Sequence, residues 1–179
     1  MNNLVRNYNF TARLMHWVSA FVILAMFVVG LWMVDLDYYS QWYNLAPHWH
    51  RSVGILLAGL MLARYGWMLV TMSPKHEGKP IEILLARIVH KLMYLLTLVI
   101  VVSGYLLSTA DGRGIDVFDW FTVPGAGELF AYQSDLAGQI HWYSALILIV
   151  FASLHALAAF KHHFIDKDNT LRKMVGRTK

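Results

Sequence analysis

Two of the nine histidines in this 179-residue chain fall on one face of a single apolar segment. His141 and His155 are separated by fourteen residues, which is about 21 Å along a helix and within about 40° of one face. A helix carrying two imidazoles, one near each side of a membrane, could offer one axial ligand to each of two stacked haems. Each iron then needs a second histidine at matching depth on another segment. His50 opens the second apolar segment level with His141. His16 opens the first segment level with His155, and His90 opens the third at that same level, so depth arithmetic leaves His16 and His90 as rivals. Two histidines saturate an iron, which suits electron transfer better than gas binding. Arg13, three residues before His16, and Arg51, beside His50, are placed to meet haem propionates. Gly54, one turn beyond His50, would let a porphyrin approach.

The plainer readings stand beside this one. His141 and His155 could make two unrelated polar contacts between helices, and His90 could bond a carbonyl or line a pocket. His48 and His76 read as solvated loop residues, with His48 a substitute for His50, and His163 reads as facing the headgroups. Gly104, Ser103, Ala156, Ala158 and Ala159 read as small helix-packing positions. The absence of cysteine excludes disulfides, thiolate-bound clusters, zinc-thiolate sites and a covalent c-type haem.

The elements that must position these residues are membrane spans. Hydrophobic residues form 58% of the chain, charged residues 15%, and mean hydropathy is +0.46, so neither a soluble domain nor a disordered one fits. No Asp, Glu, Lys or Arg occurs between Arg13 and Asp35, between Lys91 and Asp111, or between Asp135 and Lys161. A segment from Trp49 to Met72 is broken only by Arg64, which can snorkel to the interface. With about 20 apolar residues needed per crossing, the expectation is an all-α membrane bundle of four helices near 11–34, 49–72, 87–109 and 136–162, one domain over 1–179. The first segment is too long for a signal-peptide core and no small-residue cleavage site follows it, so it is expected to stay as a helix. The third connection, about 110–135, is expected to form a partly ordered outer cap.

Charge sets the expected orientation. Of the 15 Lys and Arg, all but Arg51 and Arg113 lie on the side of the termini and second connection, with only Glu77, Glu82, Asp166 and Asp168 of the 11 acids. The positive-inside rule puts both termini in the cytoplasm, and the seven tryptophans near span ends fit two interfacial belts. The pI near 9.4 then reflects topology and anionic lipid, not nucleic acid.

Several segments resemble the bacterial cytochrome b561 family. They are Arg13-Leu-Met-His-Trp17, His50-Arg-Ser-Val-Gly54, His90-Lys-Leu-Met-Tyr94, His155 to His163 and the tail Asp166-Lys-Asp-Asn-Thr-Leu171. The resemblance runs the length of the chain, with Ile140 before His141 where relatives would have a tryptophan. It implies an inner-membrane four-helix bundle with two b-type haems that exchanges electrons with a membrane quinone such as ubiquinone. By position, it implies His16 with His155 on one iron and His50 with His141 on the other. On that footing His162, seven residues beyond His155, is the expected proton donor to quinone, with Lys75, Lys79, Lys161 and Arg64 near the same level. Superoxide is one periplasmic donor that the resemblance suggests. The alternatives are a membrane-anchor subunit for a dehydrogenase, hydrogenase or c-type cytochrome, and a haem-free assembly factor or proton carrier. A homodimer is left open.

Overall fold

The computed structural model describes residues 7–75 and 77–176, so the expectation for His76 lies outside the described residues. Four long helices carry the chain back and forth: α1 (Phe10–Val34), α2 (Trp42–Val70), α3 (Pro80–Ser108) and α4 (Gln133–Phe164). Each is long and apolar enough to cross a membrane. A short β-hairpin, β1 (Ile115–Val117) and β2 (Phe121–Val123), precedes α4, and a six-residue α5 (Thr170–Val175) follows it. The molecule is thus mostly helical rather than all-α, because the third connection forms antiparallel strands.

Two helices start earlier than their apolar runs. Helix α2 begins at Trp42, with Pro47 inside it, and Trp42 packs edge-on between Trp32 and Trp49 at 5.8 and 6.5 Å. Helix α3 begins at Pro80, whose missing N–H costs nothing in a first turn, while the Glu82 carboxylate accepts the Lys79 N–H at 2.9 Å. Hydropathy reports where the apolar run begins, whereas these helix starts lie in the more polar sequence before it.

Helix α1 packs closely on α2, and α3 on α4; α2 meets α3 over a shorter stretch. Inside the spans the buried positions are small and often polar, including Ser19, Ser52, Thr97, Ser103 and Ser144, while most large apolar side chains face outward. Small side chains let helices approach where lipid removes the hydrophobic drive to associate. Their hydroxyls must then find partners, and Thr97, Ser103 and Thr109 return theirs to carbonyls four residues back, on Met93, Val99 and Tyr105.

At one end, Ile115 and Val117 bury the hairpin against α2. The turn takes Phe118 and Asp119 through positive φ (47° and 60°), the mirror-image turn that suits strand twist, and Ser52 Oγ accepts the Phe118 N–H at 3.1 Å. Gln133, 1% exposed, accepts the Leu129 N–H and donates to the carbonyls of Leu106 and Gly127. Tyr105 donates its hydroxyl to the Pro124 carbonyl at 2.7 Å. We call this the hairpin end.

At the other, terminal end, the distinctive tail folds back as a clasp. Lys161 pairs with Glu82 and Asp166, both at 2.7 Å. Lys173, buried, reaches Glu77 at 2.6 Å and the Lys75 carbonyl at 2.8 Å, and Trp17 donates to the Met174 carbonyl at 3.1 Å. Segment 165–176 thereby ties α4 to the second connection and to α1. The Lys173 ammonium and then the Asn169 N–H hold the Glu77 carboxyl below its usual range. At Asp168, burial pushes upward but is outweighed by bonds from the Thr170 N–H, the Thr170 hydroxyl and His162.

Two outcomes follow from these ends. Gln133→Leu leaves one buried N–H and two carbonyls unpaired, a loss of roughly 1–3 kcal/mol. Denaturant unfolding in detergent should register it, together with faster proteolysis of 110–132 at unchanged helix content; equal stability would refute the anchoring role. The depressed carboxyls contribute stability that is full above their unfolded values near pH 4 and lost as pH falls through the folded ones. A spin label at Lys167 should therefore gain mobility only on acidification below about pH 4, and a flat response down to about pH 3 would show that the clasp is not held by these ions.

Candidate functional site

The membrane interior holds two layers of imidazoles, and both bridge the seam between the α1–α2 pair and the α3–α4 pair. At the terminal level, His16 of α1 faces His155 of α4, with ring centres 6.3 Å apart and planes at 75°. At the hairpin level, His50 of α2 faces His141 of α4 at 6.2 Å and 70°. All four rings are half-buried. Helix α4 places His141 and His155 on one face because fourteen residues nearly complete four turns.

The likeness of the two couples has a chemical meaning. With a metal–nitrogen bond of about 2.0 Å and a ring radius of about 1.1 Å, two imidazoles on opposite sides of one ion hold their centres about 6 Å apart. Both couples match that spacing. His90 stands closer to His155, at 5.0 Å and 63°, which is direct edge-to-face contact between rings.

The surroundings differ between the layers. At the terminal level, Arg64 of α2 lies with Nη2 2.8 Å from His16 Nδ1 and donates from Nη1 to Ser19 Oγ at 2.9 Å. Its guanidinium also sits 5.4 Å from the centre of the Tyr94 ring. At the hairpin level, His141 Nδ1 lies 2.9 Å from the Ile100 carbonyl of α3. A carbonyl can only accept, so Nδ1 carries the proton and Nε2 is the free donor atom of that ring. His50 Nδ1 is buried with no hydrogen-bond partner among the described residues.

Two glycines complete the hairpin layer. A Cβ on Gly104 of α3 would meet the His141 ring at 2.9 Å, and one on Gly30 of α1 would meet His50 Cε1 at 3.4 Å. Gly104 read from sequence as a helix-packing position, and Gly30 carried no signal, because neither is near a histidine in the chain. Gly54 instead looks toward Met26, where a Cβ would find ordinary contact at 3.8 Å.

The remaining expected residues lie at the two rims. Arg51 donates from Nε to the Pro47 carbonyl at 3.2 Å, at the hairpin end. Arg13 lies against Gly176 beyond α5, with its Nε buried and without a hydrogen-bond partner among the described residues. His48 packs edge-on to Phe118 at 6.5 Å, and His163 against Phe164 at 4.8 Å. His162, seven residues past His155, belongs to the clasp: its Nδ1 is 2.7 Å from Asp168 and 3.1 Å from Asp166. Glu82, His162 and Asp166 bring one ligand-type atom each within 4.8 Å of one another, but Lys161 already occupies both carboxylates. Asp168 was not singled out from sequence, since only the fold-back of the tail brings it to His162.

These residues fit a b-type haem on three counts: the imidazole spacing, the glycine beside His141 and the orphaned nitrogen of His50. Comparison with known proteins points the same way. Residues 7–177 match the family described as prokaryotic cytochrome b561. The chain is 42% identical over 178 residues to cytochrome b561 homolog 2 of Escherichia coli (strain K12), covering 98% of this chain and 95% of that one. It is 29% identical over 163 residues to a protein described as probable superoxide oxidase CybB of Yersinia pestis, covering 89% and 90%. The chain therefore belongs to the prokaryotic cytochrome b561 family: it is a multi-pass membrane protein of haem-dependent electron transport.

Proposed function

We propose that this protein is a di-haem cytochrome that carries electrons from superoxide on the hairpin side to a membrane quinone on the terminal side. The observation that supports it most is the pair of cross-helix imidazole couples, equal in spacing and about 21 Å apart along α4. His16 and His155 would hold one haem b, and His50 and His141 the other. The rival ligand His90 is too close to His155 for an ion between their rings. Arg51, at the hairpin end, and Arg13, whose Nε has no hydrogen-bond partner among the described residues, are the cations proposed for propionates. The excess of Lys and Arg on the terminal side favours a cytoplasmic location for it.

When bound, each haem supplies reversible one-electron chemistry. The protein's own residues decide what reaches it and where protons move. Two superoxide ions each give up one electron and leave as dioxygen, while one quinone takes two electrons and two protons. The proton half falls to His162, which sits at the terminal rim beyond the His16/His155 couple. Asp168 holds its Nδ1 at 2.7 Å, so Nε2 is the nitrogen left to exchange a proton with quinone. Lys75, Lys79 and Arg64 add positive charge at this level for a reduced, anionic quinone. Superoxide as donor rests on the name of the Yersinia pestis relative. It suits a reaction that needs no partner protein.

Haem extracted from detergent-purified protein should count two per chain, with a low-spin b-type difference spectrum. His155→Ala should reduce the count to one and His90→Ala should leave two; one haem lost with His90 would move the ligand assignment to it. His162→Gln should slow quinol formation by about 10²-fold, the usual reach of a proton-transfer group, with the haem spectrum unchanged. Loss of haem in that variant would refute the assignment of His162 to quinone.

A further inference from the structure

Three carboxylates gather around His162 and Lys161 in the clasp. His162 Nδ1 lies 3.1 Å from Asp166 Oδ2 and 2.7 Å from Asp168 Oδ2. Lys161 Nζ stands 2.7 Å from that same Asp166 oxygen and 2.7 Å from Glu82 Oε1. One ligand-type atom each from Glu82, His162 and Asp166 falls within 4.8 Å of the other two. Ligands bound tetrahedrally to Zn²⁺ at about 2.0–2.1 Å lie about 3.3 Å from one another. The edge between His162 and Asp166 already has nearly that length, and the ammonium marks the place where a cation bridges Asp166 and Glu82.

The ligand atoms are oriented by their neighbours. Glu82 Oε2 accepts the Lys79 N–H at 2.9 Å, which leaves Oε1 for a cation. Gly78, at φ 107°, lays the second connection over two of the ligands: a Cβ there would meet Glu82 Oε2 at 3.0 Å and His162 Cε1 at 3.2 Å. Outer contacts of this kind fix ligand orientation and raise metal affinity. Lys161 is free to leave, because its side chain is 41% exposed on a flexible stem and an ion pair at a wet rim is weak. A dication places twice the charge on the same oxygens. It also accepts the imidazole lone pair, which an ammonium, having only donors, cannot do.

We propose that the clasp is a site for a divalent transition-metal ion such as Zn²⁺, which displaces the Lys161 ammonium and binds Glu82 Oε1, His162 Nδ1 and Asp166 Oδ2. Water completes the shell. One imidazole with two carboxylates selects Zn²⁺ over Mg²⁺, which takes oxygen ligands and keeps its waters. The ring binds as neutral imidazole, so the proton that Nδ1 shares with Asp168 passes to Nε2. With Nδ1 on the metal, His162 no longer cycles between imidazole and imidazolium. On the reading above, in which His162 delivers protons to quinone, the bound ion therefore inhibits quinol formation; that consequence, unlike the binding itself, rests on that reading.

The test is a calorimetric titration of the tag-free, detergent-purified holoprotein with Zn²⁺ in a buffer that does not bind metal, with Mg²⁺ as the control. One Zn²⁺ per chain should bind saturably, and Mg²⁺ should not compete. His162→Gln and Asp166→Asn should each weaken binding by more than about tenfold. Lys161→Gln removes the competing ammonium and should tighten binding, an effect that scattered surface binding would not show. X-ray absorption at the zinc edge should report one imidazole with oxygen ligands at about 2.0 Å. No saturable binding, an affinity indifferent to His162→Gln, binding that Lys161→Gln leaves unchanged or weakens, or a zinc shell with two or more imidazoles would overturn the inference. Should a variant not fold, the wild-type stoichiometry and zinc shell decide it. Zn²⁺ bound as described should also slow quinol formation. Zn²⁺ that binds there without slowing it would keep the metal site and refute the role of His162 with quinone, so the two readings fail separately.

Discussion

An imidazole inside a lipid-solvated bundle needs a defined partner, since the surrounding hydrocarbon offers none. Four such rings sit in this molecule where two helix pairs face each other, and the architecture is arranged around them. The α1–α2 and α3–α4 pairs pack closely within themselves, through small side chains that return their hydroxyls to carbonyls one turn back. Between the pairs, His16 faces His155 and His50 faces His141, beside a shorter α2–α3 contact that includes Tyr65 and Tyr94. That seam is less closely packed than either pair is within itself. It is well suited to a flat prosthetic group that would fill it, which agrees with the family to which the chain belongs.

The ends supply what the seam lacks. At the hairpin end, the buried Ser52 and Gln133, with Tyr105, join α2, α3, the β-hairpin and the start of α4 through hydrogen bonds. At the terminal end the clasp does so with ions, linking α4, the second connection and α1. The contrast follows the medium: buried amides and hydroxyls hold their worth under a folded loop, whereas ion pairs are tolerable at a wet rim. The clasp also brings Asp168 to His162, so the segment that closes the bundle is the one that would manage protons in the proposed reaction.

Within that frame the two layers differ in the polar groups their rings meet. The carbonyl at His141 and the guanidinium at His16 are backbone and side chain of different helices, α3 and α2, each held by its own packing. Ser19 Oγ and His16 Nδ1 give the Arg64 guanidinium polar contacts within a span, where charge is otherwise costly.

Much of this was legible in one dimension. Charge-free runs of membrane length located the spans, and the fourteen-residue spacing of His141 and His155 placed both on one face, because helix geometry is local and periodic. The depth of His16, His50 and His90 followed from the same arithmetic. What remained open was which of two rings at one depth faces His155; that depends on helix rotation and packing, which no local pattern encodes. Early helix starts at Trp42 and Pro80 arose from caps in polar sequence that hydropathy does not register. The β-hairpin depends on a turn with positive φ at Phe118 and Asp119, residues that carry no glycine signal, and on a serine sixty-six positions away. The groups that lie against the imidazoles, on Arg64, Ile100, Gly104 and Asp168, all come from other elements. Sequence therefore determined the membrane class, the span number and the depth of each histidine, which are sums over neighbouring residues. Only the tertiary structure decided which rings face one another and which polar groups they meet, because those depend on contacts between segments that are distant along the chain.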